Sequence, residues 1–475
     1  MITKEVHTLV LGAGPSGLTA GYTLAKAGCK PILIEKAGFT GGLMCSLKQD
    51  GFTMDIGRKE LYNRIEKIDK FWNELLGKEY RRYEHRGGIL YKRKIIDARP
   101  NYQGFRRGIS WPLFLGICLD FLWWRIRPGL SEPKNLQDFY YQQRGEKLTR
   151  IFSQGFQEKL TGLSWSETPI PQEQNSGKRI GFVKTLNEAL KRTFSKSEPN
   201  TFEDVWKHPA RGTGQICDLL VKGIKENGGS VKLNSTIKSI KTEDEKITSV
   251  IVQHGEEDIK YKTENVITSI PIEFLLGLML PEKYGSQGSV KKIKRNTVIL
   301  VYLFLDEPPQ FQQVYLHVTC PSTRMGRITN YAAFNGEMVP NGKTCLCCEL
   351  YSFTDDDELL QLEEQQLVEK ILKECSDSGL IHSDKYIGHK VLKLPGADAS
   401  QNRDNWMNKA RLKLMDELKP FKNVYYTNRT ELDFANLAGI EAAEAILSGD
   451  RSDFDRRIDP SELGIRSVKK SFAFA

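Results

Sequence analysis

Thr8 to Ser46 reads TLVLGAGPSGLTAGYTLAKAGCKPILIEKAGFTGGLMCS, and this run decides the fold. An apolar strand (Leu9 to Leu11) enters a turn with Gly12, Gly14 and Gly17, a helix-forming segment follows, and a second apolar strand (Ile32 to Ile34) ends in Glu35. Each glycine has a mechanical reason: Gly12 permits the tight turn, Gly14 lets backbone N–H groups approach a pyrophosphate, and Gly17 lets helix and strand pack closely. Pro15 and Ser16 open the helix, whose N-terminus turns its partial positive charge toward phosphate. Glu35, about twenty residues on, suits a carboxylate that accepts from a ribose hydroxyl. Strand, turn, helix, strand and acid agree on a dinucleotide, but both NAD and FAD use this cradle.

Working outward, Lys36 and then Gly41-Gly42-Leu43 follow the second strand. The paired glycines resemble those of FAD proteins of the superfamily that includes amine oxidases, protoporphyrinogen oxidase, phytoene desaturase and UDP-galactopyranose mutase. In many relatives an arginine follows the pair, and Leu43 in its place is a variant of the mutase-like branch. The stretch DGFTMDIGRKELY, Asp50 to Tyr62, resembles that branch's pattern of an aromatic residue, Asp, Gly, Gly, His. Here Arg58 stands for the second Gly and Lys59 for the His.

The resemblance extends down the chain. Asp138, Phe139, Arg144, Gly145, Glu158, Lys159 and Gly162 fall on matched positions, whereas the family's tryptophan before the last Gly is Thr161. His208 to Val252 reads as turn, amphipathic helix, strand and hairpin, and Ile237 matches the residue whose main chain reads an adenine edge. Asn265 to Pro271 resembles the segment that leads the chain out of the FAD domain. At the C-terminus, Asn428-Arg429 replaces a Gly-Arg pair, and Asp433 precedes Gly439 by six positions. The resemblance implies that Asp433 meets the ribityl or phosphate region, and that N–H groups around Asn436 and Leu437 aim at the flavin's pyrimidine edge; a helix terminus would stabilise negative charge there. A plain N-cap is the other reading of Asp433.

Composition bounds the alternatives. A chain of 475 residues, 39% hydrophobic, can bury one or two substantial cores. Nine cysteines show no zinc spacing, and seven histidines form no cluster; Cys345, Cys347 and Cys348 read as small buried thiols in a strand ending near Glu349. With the dinucleotide strand starting near Met1, no targeting signal is expected, which points to a cytoplasmic location, peripheral to the inner face of a membrane at most. Between Arg81 and Arg107 nine Lys or Arg face only Glu84 and Asp97. Ile109 to Gly129 follows, apolar and aromatic, interrupted by Pro112 and Asp120 and closed by Arg125 and Arg127. Residues 109–127 suit a buried helix or one lying on a membrane surface, and a spanning helix is the least suited reading. An anionic or lipid-linked small-molecule substrate fits the basic cluster; nucleic acid does not, since no nucleic-acid fold signature accompanies it.

Gln172 to Asn200 reads as a linker or loop around a short helix, Val298 to Leu305 and Lys343 to Phe353 as buried strands, and Asp355 to Asp377 as one amphipathic helix. The expectation is a doubly wound, Rossmann-like α/β FAD-binding domain, discontinuous in sequence (1–80, 205–272 and 395–475), with an inserted α+β substrate-binding domain (81–204 and 273–394). The resemblance implies FAD as cofactor and an oxidoreductase that transfers hydride to flavin N5 from an amine, polyene or sugar-linked substrate. Its alternative is a mutase-like isomerase in which reduced flavin is the nucleophile. Lys59, Arg58 and Arg429 are the candidate catalytic residues: Lys59 as a cation beside reduced flavin or an anionic substrate group, and the arginines for a diphosphate.

Overall fold

The computed structural model describes residues 1–59, 61, 65–84, 86–97, 109–127, 132–170, 205–285, 296–398, 413–429 and 431–456. Gln172 to Asn200, and Arg99, Arg106 and Arg107 of the basic cluster, lie outside the described residues.

Five parallel strands from three distant parts of the chain lie side by side: Ser230–Lys232, Ile32–Ile34, Ile2–Leu11, the end of Glu257–Thr268, and Val424–Tyr426. Parallel neighbours need crossovers, and helices over the sheet supply them. The first strand shows why both faces are covered. Val10 joins Leu18, Leu24 and Leu33 beneath the helices Pro15–Lys26, Gly214–Glu226 and Leu432–Ser448. Leu9 and Leu11, pointing the other way, pack with Ile237, Val250 and Tyr261 of the antiparallel strands Ser235–Glu243, Lys246–His254 and Glu257–Thr268.

A second seven-stranded sheet runs Tyr386–Asp398, Asn296–Leu305, Thr344–Ser352, Met325–Asn330, Tyr315–Val318, Gly87–Tyr91, Lys94–Asp97. Its pairings are antiparallel except where Tyr315–Val318 meets Gly87–Tyr91 in parallel. Every residue of Thr344–Ser352 is buried, and with Asn296–Leu305 it forms the continuous apolar middle of the sheet. On one face Leu367, Val368 and Ile371 of the helix Glu364–Asp377 cover it. On the other face Tyr302 and Phe304 meet Phe52 and Met54 of the hairpin Ser46–Gln49 and Phe52–Asp55, so the second sheet sits against the segment that follows the paired glycines.

Asp355 to Asp377 forms two helices, Glu358–Gln361 and Glu364–Asp377, where one was expected. Gln366 reaches back to accept the N–H of Glu363 at 3.2 Å, a capping interaction that starts a new helix and overrides the continuous apolar periodicity. All nine cysteines are free thiols; burial raises the pKa of Cys345 and Cys347, and at Cys348 the contact with the Cys375 thiol raises it, with burial adding to it.

Candidate flavin site

The two glycine turns meet. Gly12 has φ +100° and donates to Ile34 O at 2.8 Å, closing the turn onto the second strand. A Cβ on Gly17 would lie 2.0 Å from Gly12 O, so only glycine lets the helix start here. Gly41, φ +98°, donates to Ala13 O at 2.7 Å, and a Cβ on Gly42 would lie 3.6 Å from Gly14 Cα. Gly14 differs from its neighbours, because a Cβ there would meet nothing within 4 Å. The result is an open, side-chain-free ledge at the N-terminus of Pro15–Lys26, whose cap residue uses no side chain. A dinucleotide pyrophosphate fits such a ledge, with backbone N–H groups and the helix dipole facing it.

Glu35, expected at a ribose, ends beside the glycine turn. Glu35 accepts the N–H of Ala13 at 2.8 Å on one oxygen and that of Ala37 at 2.9 Å on the other; each oxygen keeps a further lone pair for a hydroxyl. Ser235 N donates to Glu35 O at 2.9 Å, which brings the strand carrying Ile237 alongside. Ile237 itself is buried in the apolar cluster with Leu9 and Ile34. Lys36 and Leu43 are exposed at the margin.

The C-terminal segment closes on the same helix. A Cβ on Gly439 would lie 2.3 Å from Ser16 O, so the helices cross backbone to backbone, and Thr19 donates to Asn436 Oδ1 at 2.6 Å. Thr427 contacts Ser16 Oγ at 3.2 Å, and Asn428 donates to Ser269 O at 2.7 Å. Two expectations need correction. Asn436 and Leu437 lie in the second turn of Leu432–Ser448, beyond the first four N–H groups a helix leaves open; already at Ala435 the N–H goes to Glu431 O at 2.8 Å. The N–H groups that precede the intrahelical ladder belong to the first turn, around Asp433. Asp433 is not the N-cap, which is Glu431; it lies two residues further on, within the first turn, buried, and accepts the N–H of Phe434 at 3.0 Å. Arg429 donates to its neighbour Asn428 O at 2.9 Å.

Arg58 and Lys59 follow a strand end that the second sheet clamps. Tyr302 and Tyr331 both donate to Asp55 O, at 2.6 and 2.9 Å, and Gly57 N donates to Tyr302 at 3.2 Å. Arg58 N donates to Glu349 Oε1 at 3.3 Å, while its guanidinium lies 3.9 Å over the Tyr315 ring. Burial lowers the pKa of Lys59 below the ordinary lysine range, and the charges of Glu349 and Asp55 partly offset this.

Two charged constellations behind this loop were not foreseen. Glu349, expected only as the end of an apolar run, is 2% exposed and holds Arg327 in a fork (3.0 and 2.6 Å) while accepting Tyr351 at 3.0 Å. Burial pushes its pKa up, but Arg327 outweighs that and leaves the group below the usual carboxylate range. Asp55 and His208 are both fully buried and 2.8 Å apart. Asp55 also accepts Ser46 Oγ at 2.5 Å and Thr213 N at 2.9 Å, and Asn335 of the second sheet's region lies 3.4 Å from the other nitrogen of His208. A lone acid inside a nine-residue buried strand, and a lone histidine before a glycine turn, were the available signals.

Residues 10–75 match an NAD(P)-binding Rossmann-like domain, and residues 125–410 match the flavin containing amine oxidoreductase family. The chain is similar to 15-cis-phytoene desaturase of Arabidopsis thaliana (24% identity over 340 residues, covering 66% of this chain and 56% of the relative). It is also similar to 4,4'-diapophytoene desaturase of Methylomonas sp (25% over 344 residues, covering 63% and 61%). The chain thus matches about three-fifths of the length of these relatives. In fold it is similar to reduced UDP-galactopyranose mutase (TM-score 0.75, 14% identity, covering 96% of this chain and 98% of that one). It is also similar to putrescine oxidase bound to putrescine (TM-score 0.57, 13% identity, covering 94% and 100%). With the family match spanning more than half the chain and the cradle fitting a flavin dinucleotide, the chain belongs to the flavin containing amine oxidoreductase family.

Proposed function

We propose that this protein is an FAD-dependent oxidoreductase that desaturates a small apolar substrate of the polyene class, removing hydride from one carbon while a proton leaves the adjacent carbon to water. Bound FAD supplies the acceptor for that hydride and its two electrons, which pass on to an oxidant such as dioxygen or a quinone. The observation that carries the reading is the meeting of the turns at Gly12–Gly17 and Gly41–Gly42 with open space over Gly14. The desaturase relatives support the polyene over an amine.

In this reading segments 1–80, 205–272 and 395–475 hold the cofactor and the remainder covers the substrate. The glycine ledge, Pro15 and Ser16 hold the pyrophosphate, Glu35 the ribose, and the first turn of Leu432–Ser448 the far end of the flavin. Lys59 presents a partly desolvated cation that favours the reduced, negatively charged state of the cofactor. Glu349 and Arg327 position the loop that carries it. The same reading gives the protein a peripheral contact with a membrane through residues 109–127.

The test is anaerobic. Holoprotein mixed with detergent-dispersed phytoene is expected to lose its visible flavin absorbance and yield a product two hydrogens poorer. Lys59→Met is expected to keep its FAD and slow that bleaching at least tenfold. Bleaching by amines alone, or rearrangement of a UDP-sugar by reduced protein without net electron flow, overturns the proposal.

A further inference from the structure

The helix Trp111–Ile126 is apolar on both sides, and the fold uses only one. Ile117 is buried in a small cluster with Ile89, Ile96, Ile151 and Phe152, which fixes the helix to the Gly87–Tyr91/Lys94–Asp97 hairpin. The opposite side carries Trp111, Leu115, Leu119, Leu122, Trp123 and Ile126, each between 46% and 74% exposed. Their spacing of four, four, three, one and three makes one continuous stripe. Scattered exposed leucines need no explanation, but six large apolar side chains in one stripe mark a surface that something covers.

Charge and shape choose the occupant. Arg125 and Arg127 close the helix, with Arg127 4.3 Å over the Trp124 ring. Lys92 and Arg93 form the turn of the hairpin on which the helix rests, and Lys94 opens its second strand. Gly116 faces Lys147, whose Nζ would lie 3.0 Å from a Cβ there. The one acid of the helix, Asp120, is already engaged by Lys147 N at 2.8 Å. An apolar stripe with a tryptophan near each end and a rim of cations suits the interface of an anionic bilayer. A second copy suits it less, since a two-fold contact would set the same cationic rims against each other. Sixteen residues span only about 24 Å, and among the described residues no helix is long and apolar enough to cross a membrane. A membrane contact made by this helix would therefore run along the surface and not across it.

The geometry points to the Trp111–Ile126 stripe as a docking face for an anionic lipid surface, seated in the headgroup region with Lys92–Lys94 and Arg127 on the phosphates. This deepens the membrane contact in the proposed function, and it is read by binding alone, so its failure is distinct from failure of the desaturase assay. Full-length holoprotein is floated with vesicles of phosphatidylcholine containing phosphatidylglycerol, and with phosphatidylcholine alone. Most of the protein is expected to float with the anionic vesicles and little with the neutral ones. The triple variant Leu115→Glu, Leu119→Glu, Leu122→Glu is expected to lose at least tenfold in binding, with flavin content and melting temperature unchanged because these side chains lie on the exposed side, outside the buried clusters. Native protein that stays with the soluble fraction, or a triple variant that floats as well as native, overturns the proposal. So does a native dimer that the triple variant converts to monomer, which would make the stripe a contact between copies.

Discussion

Gly14 and Gly17, three residues apart, have opposite reasons to be glycine. At Gly17 a side chain would strike Gly12 O within the fold itself, whereas at Gly14 it would enter open space. Gly14→Trp is therefore expected to fold with an unchanged unfolding midpoint and to purify colourless, with FAD absent from the denatured supernatant. Yellow protein would show that the ledge is not where the pyrophosphate lies. The reason at Gly17 was legible because a close helix approach is a local demand on a few consecutive residues. Asn436 and Leu437 were misjudged by about one turn, because which N–H groups a helix leaves open depends on where its cap forms. Here that cap is Glu431.

Among elements, the helix Gly155–Thr161 shows how one side chain fastens a helix to a sheet. Lys159 Nζ donates to Val318 O, Cys320 O and Met325 O at 2.9, 2.6 and 3.0 Å, across the connection between Tyr315–Val318 and Met325–Asn330. A Cβ on Gly155 would lie 2.1 Å from Thr319 O, so helix and connection are in backbone contact. Lys159→Met leaves three carbonyls without that donor and is expected to cost about 1–3 kcal/mol at neutral pH, read from urea unfolding. Burial lowers the pKa of Lys159 to about 8 from 10.5. Between those values the unfolded chain binds more protons than the folded one, so this group makes stability rise with pH across that window. The native protein should gain on Lys159→Met as pH goes from about 8 toward 10, and a constant difference would show that Lys159 titrates normally. The resemblance marked position 159, but three carbonyls from another segment are not visible in a helical pattern.

For the whole molecule, the buried Asp55–His208 pair ties together the hairpin after the paired glycines, the turn before Gly214–Glu226, and Asn335 beside the second sheet. His208→Ala leaves a carboxylate with 0% exposure short of a partner. The expected loss is about 2–4 kcal/mol, with weaker FAD retention, measured by urea midpoint and by flavin released on dilution. A midpoint within experimental scatter of native would mean that the pair does not couple the two sheets. The chain's own order of residues determined the dinucleotide turn, the paired glycines, the buried strands and the apolar helix at 111–126, because each is a matter of backbone conformation or periodicity within one short segment. Only the tertiary structure decided that Asp55 meets His208 across 153 positions, that Arg327 neutralises Glu349, and which side of Trp111–Ile126 faces outward. Those outcomes depend on which surfaces come together when distant segments fold, and a linear pattern carries burial preferences without naming partners.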